Sequence, residues 1–91
     1  MKMAAELRPV LEVENEGLIS FLNKRITIFC MNYIYTGTLV GVNDSCVKIT
    51  DGGIVFNTGD FCAKTWEDYQ KLPNDFYVQL SSVESFTELK P

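Results

Sequence analysis

From Lys24 onward the apolar residues recur at every second position, and that period leaves little choice of local structure. Ile26, Ile28 and Cys30 point one way while Arg25, Thr27 and Phe29 point the other, the mark of a half-buried strand. "MNY" supplies a turn, since Asn32 tolerates positive φ, and "IYTGTLVGV" brings the chain back as the second arm of a hairpin. Gly37 and Gly41 lack a Cβ, so this return strand can coil more tightly than a flat sheet allows. Asn43, Asp44 and Ser45 then end it, because their side chains bond nearby backbone groups in preference to ladder partners.

The same reading extends along the chain. "CVKIT" resumes with Val47 and Ile49 on one face, and "DGG" makes a turn or bulge before "IVF", which predicts a long, bent third strand. Residues 57–75 have no strand period. Thr65 followed by Asp68 resembles a capping box, and Trp66 and Tyr69 lie three apart, which predicts an insertion with a short helix ending before Pro73. "FYVQL" alternates again, Ser81 and Ser82 make a corner, and "VESFTEL" forms the last strand. Upstream, Asn15 is placed to cap a short helix from Glu16 to about Asn23, with Leu18, Ile19 and Leu22 on its apolar face. Residues 1–14 are an arm interrupted by Pro9. The expected fold is mainly β: a short N-terminal helix, then a five-stranded, strongly bent antiparallel barrel, with an insertion between strands 3 and 4.

At 91 residues the chain has enough apolar surface for one core and not for two, so residues 1–91 are expected to form a single domain. A formal charge of −4 repels phosphate at long range, so any RNA binding must come from a local patch or from base stacking. Histidine is absent, which removes the commonest general base, metal ligand and partner of a nucleophile. Ser81 and Ser82 accordingly have no base to activate them, and Asp44 and Asp51 have no third carboxylate at a recognisable spacing. The expectation is a protein that is not an enzyme and uses no cofactor or metal. Cys30, Cys46 and Cys62 are odd in number and lack CxxC spacing, so free thiols in a reducing, cytoplasmic compartment are expected. Neither a signal peptide nor an apolar run long enough to span a bilayer is evident, and no membrane partner is expected.

The stretch "LISFLNKRITIFCMNYIYTGTLVGVND" resembles the first motif of the Sm-like family, the RNA-associated small barrels that include the bacterial Hfq proteins. The resemblance lies in a helix ending in Leu, a Lys-Arg pair, alternating aliphatics, then Gly-x-Leu and an Asp-containing turn. Three departures accompany it: the turn at Asn32 and Tyr33 is one residue shorter than usual, "SCV" follows Asp44 where many members carry a Met-Asn pair, and Leu80, Ser81 and Ser82 stand where a cationic or imidazole pair belongs. The resemblance therefore does not imply a uridine-binding pore of the usual chemistry. It does imply a ring of five to seven identical subunits, in which the fourth strand of one subunit joins the fifth of the next.

On that basis Tyr77, Val78, Gln79, Leu80, Val83, Ser85 and Phe86 are the expected oligomer interface. The physical reason is independent of the family, because short terminal strands with bare edges otherwise template uncontrolled pairing, and a closed ring uses those edges up. For single-stranded RNA the candidates are Phe29 and Tyr33 as stacking aromatics, with Asn43, Asp44 and Ser45 at a polar corner repeated around the ring. Phe29 can instead pack beneath the arm or the helix. Lys24 and Arg25 are phosphate contacts or ordinary solvated charges. Trp66 and Tyr69, in the acidic "WEDY" segment, are a candidate protein-partner surface or a thickening of the core. Two functions follow as expectations: a non-catalytic RNA-binding or RNA-chaperone scaffold, or an adaptor ring that has lost RNA binding and holds a protein.

Overall fold

The computed structural model describes residues 9–11 and 16–91. Most of the arm assigned to residues 1–14, and the cap assigned to Asn15, lie outside the described residues. Six strands form one antiparallel sheet: β1 (Arg25–Cys30), β2 (Ile34–Val42), β3 (Cys46–Asn57), β4 (Asp68–Lys71), β5 (Phe76–Gln79) and β6 (Val83–Thr87). The order is β4-β3-β2-β1-β6, with β5 also hydrogen-bonded to β3. β3 is long enough to hold two partners on one edge: Cys46–Ile49 pairs with β5, and Gly53–Asn57 pairs with β4. Among the described residues no ladder joins β4 or β5 to β6, so the sheet is strongly bent but not closed.

The bend comes from bulges. Thr36 faces Gly53 and Thr38 faces Thr50, so Gly37 alone opposes both Asp51 and Gly52. Asp51 takes φ 51°, a left-handed conformation that aspartate tolerates better than most residues. A second shift, between Leu39 and Gly41, leaves Val40 as the extra residue of β2. A third puts Glu84 of β6 opposite the Phe29–Cys30 step. Each shift adds local twist, and together they curl the sheet around Ile26, Ile28, Leu39, Val47, Ile49 and Val78. Full burial of each of these side chains stabilises the fold by about 2 kcal/mol before ordering entropy is counted.

Three expectations need correction. The N-terminal helix is a single 3₁₀ turn, Leu18–Phe21, bounded by Gly17 at φ 82° and Asn23 at φ 67°. Three residues per turn aligns Leu18 with Phe21, so these two pack on the core while Ile19 and Leu22 are exposed. Phe21 meets Phe86 of β6 edge to face, centroids 5.9 Å apart. The insertion carries no helix: Asp68–Lys71 is β4, because β3 runs on to Asn57 and leaves a backbone edge that this segment satisfies. The sheet accordingly has six strands rather than five and is open rather than the expected barrel, since among the described residues no ladder joins its two ends. No helix among the described residues is long and apolar enough to cross a membrane.

Candidate functional site

The polar corner forms where β2 gives way to β3. The Asn43 carboxamide oxygen accepts from the amides of Ser45 at 2.7 Å and Cys46 at 2.9 Å, and the Asn43 amide donates to the Cys46 carbonyl at 3.0 Å. Asn43 is thus the residue that fixes the turn, and Asp44 stands exposed at its tip. The second corner, the 3₁₀ turn Leu80–Ser82, docks against it: the Leu80 amide donates to the Ser45 carbonyl at 2.9 Å. Two segments 35 residues apart in sequence, Ser45 and Leu80, are held in register by that bond.

A groove of about 360 Å³ runs beside the second corner, with Met31, Tyr33 and Tyr35 on one side and Tyr77, Gln79 and Ser81 on the other. Tyr35 is opposite Ile28 in the ladder and shares the core face. Tyr33, two residues earlier, continues that face beyond the end of β2 and is 48% exposed. Its ring lies 6.2 Å from Tyr35 and 6.5 Å from Phe56, whose position across β3 follows from the pairing of Ile34 with Val55. Tyr35 in turn lies 5.7 Å from Phe76. The result is an aromatic tier that starts in the core and emerges at the hairpin tip, where Met31 and Phe56 are exposed. Tyr77 is exposed on the far wall, with the Lys48 ammonium 5.8 Å from its ring centroid.

Phe29 is on the other face of β1. Its ring is covered edge-on by Phe61 of the insertion, centroids 6.2 Å apart. Thr27 on the same face is completely buried, although its position in the alternation is outward. The structure therefore groups Tyr33 with Gln79 and Ser81, groups Asn43–Ser45 with Leu80, and sets Phe29 apart from both. Of the residues expected at the interface, Val78 is buried in the core, whereas Leu80, Val83 and Phe86 are half-buried against it, and Tyr77, Gln79 and Ser85 are exposed. Trp66 and Tyr69 are both half-buried, and one face of Trp66 is occupied by the Lys90 ammonium at 4.6 Å.

Charge at the base of β1 is paired. Arg25 donates to the Asp51 carbonyl at 2.7 Å and lies 3.7 Å from its carboxylate, which also holds Lys71 at 2.7 Å. The hydrogen bond from Lys71, and then its charge, hold the Asp51 carboxyl below its ordinary value. Burial, with Glu84 adding to it, raises the Cys30 thiol. Among the described residues no group of three His, Cys, Asp or Glu side chains comes together. Tyr35, Phe56 and Met31 join the candidate site without a signal in single-strand alternation, and the register of β2 on β3, which puts Phe56 opposite Tyr33, is the signal for Phe56.

The sequence matches no protein-family model and no curated protein.

Proposed function

We propose that this chain is a non-catalytic, Sm-like ring protein that acts as a single-stranded RNA-binding or RNA-chaperone scaffold. One observation carries the reading: among the described residues β5 and β6, like β4, have one ladder partner each, β3 and β1 respectively, and a 3₁₀ turn of three residues separates β5 from β6. The bare edges of β5 and β6, at opposite ends of one bent sheet, suit head-to-tail association, and five to seven copies would close it. The groove between Tyr33 and Tyr77 would then recur in each subunit beside the Asn43–Ser45 corner. Stacking of bases on exposed tyrosines needs no net positive charge, which suits a chain of formal charge −4. Repetition turns a weak contact per subunit into avidity. The lack of histidine supports the non-catalytic part, and three free cysteines fit a reducing, cytoplasmic setting.

A second reading rests on the insertion, where Phe61 is 51% exposed among the exposed acids Asp60, Glu67 and Asp68. That surface suits a protein partner, and the chain would then be an adaptor ring. The deciding experiment is light scattering on nuclease-treated protein, followed by binding of A-rich, U-rich and mixed single strands at low salt. A single closed oligomer that binds one of them supports the scaffold. An oligomer that binds none supports the adaptor, and a monomer removes the ring from both.

A further inference from the structure

Lys90 is the one charged residue buried among the described residues, only 3% exposed. Its ammonium donates to the carbonyls of Thr58 at 3.0 Å, Asp60 at 2.8 Å and Thr65 at 2.8 Å. The Trp66 ring closes the fourth side, its centroid 4.6 Å from Nζ. A lysine ammonium has three N–H donors and no acceptor, and the loop provides one acceptor for each. Among the described residues no carboxylate lies within ion-pair distance of Nζ. The charge is balanced by carbonyl dipoles and an indole face alone. Withdrawing an ammonium from water costs several kcal/mol unless its donors are all engaged, so simple filling of the loop would favour a Met or Leu stem.

The cage is shaped by bonds that do not involve Lys90. The Asn57 carboxamide accepts from the Gly59 amide at 3.0 Å, and the Asp60 carboxylate accepts from the Cys62 amide at 2.8 Å. The Ala63 amide donates to the Asp60 carbonyl at 3.0 Å, and Gly59 takes φ 64°. These fix the direction of the carbonyls in the manner of a preorganised site. The same arrangement sets its selectivity. Each N-methyl group would replace a donor with a methyl facing a carbonyl, and a planar guanidinium cannot converge three donors from one nitrogen.

We propose that residues 58–66 form a receptor for an unmodified primary ammonium group, that Lys90 occupies it in cis, and that this occupancy holds Phe61 against Phe29. Phe61 sits between the ligating carbonyls of Asp60 and Thr65, so loss of the ammonium loosens the chain on both sides of it. The receptor stands on the cage itself, and only its bearing on base stacking rests on the RNA reading.

The test is chemical rescue of the full chain carrying Lys90→Ala, in which the deleted atoms correspond to propylammonium. Trp66 is the single tryptophan, so its emission reports the cage directly. The expected result is a red-shifted emission that propylammonium restores saturably and propyltrimethylammonium at equal ionic strength does not. Ring contacts between Phe29 and Phe61, followed by NMR, should be lost and regained in parallel, with no RNA present. Unchanged emission in the variant, equal restoration by both cations, or a Phe29–Phe61 contact indifferent to them would overturn the proposal. Should the variant not fold, NMR of the unaltered protein decides: a slowly exchanging lysine NH₃ signal shifted by the indole ring is expected, and its absence overturns the cage.

Discussion

The Phe61 ring stands edge-on to Phe29 at 6.2 Å between centroids and 85° between planes, so an insertion residue covers the outward aromatic of β1. An aromatic in this position cannot take a base on that face until Phe61 moves. On the proposed RNA-binding reading, Phe61→Ala should therefore raise affinity for single strands about tenfold, within the range expected for one base–aromatic stack. Adding Phe29→Ala should abolish the gain. Fluorescence anisotropy at low salt checks both, and a loss of affinity in Phe61→Ala would instead make Phe61 itself the stacking residue.

Gly37 and Gly52 face each other at the first bulge between β2 and β3. A Cβ on Gly52 would collide with the Thr36 carbonyl oxygen and lie 2.9 Å from the Gly37 Cα, both backbone atoms that cannot step aside. Gly52→Ala should destabilise the fold by about 3 kcal/mol, the upper range for forced overpacking. Gly41 differs, since its nearest neighbour would be the Lys48 Cβ at an ordinary 3.5 Å. Gly41→Ala should change stability by less than about 0.5 kcal/mol. Urea unfolding of the two variants side by side measures the difference.

That contrast marks where sequence reasoning stops. Period-two alternation in "RITIFC" and "IYTGTLVGV" located β1 and β2, and the Asx chemistry of Asn43 located the turn after them, because both are local preferences. Gly37 and Gly41 look alike in the sequence, yet only Gly37 is crowded, since crowding depends on which residue the register puts opposite. The insertion differs from its expected helix for the same reason: Asp68–Lys71 has no strand period of its own and becomes β4 because the Gly53–Asn57 edge is there to be paired. Leu18–Phe21 forms a 3₁₀ turn because left-handed residues on each side leave no room for a full α-helix. Lys90 gave no local signal at all, as its three carbonyl partners lie 25 to 32 residues away.

The Asp51–Lys71 pair predicts a pH response. Because the folded Asp51 carboxyl is held below its ordinary value by the Lys71 hydrogen bond and charge, its contribution is present above the unfolded value and lost as pH falls through the folded one. Lys71 is raised by the same hydrogen bond from Asp51, so that contribution is lost again as pH rises through its own folded value. Lys71→Met should be less stable than the unaltered chain near neutrality and indistinguishable from it in strong acid. Both side chains are exposed, so the neutral-pH gap should be small and should narrow with added salt. Urea midpoints at neutral and acid pH, each at low and high salt, give the comparison.

Cys30 and Cys62 should separate by reactivity. Cys62 is exposed in the insertion, while Cys30 is half-buried at the bulge where Glu84 lies opposite β1. Burial first, and then the Glu84 carboxylate, raise the Cys30 thiol and lower its thiolate fraction at mildly alkaline pH. Iodoacetamide followed by peptide mapping should find Cys62 alkylated before Cys30. Glu84→Gln removes the second cause and leaves the first, so it should speed Cys30 without bringing it level with Cys62. Equal rates for Cys30 with and without Glu84 would mean that burial alone governs it, and that the bulge does not turn the carboxylate towards the sulfur.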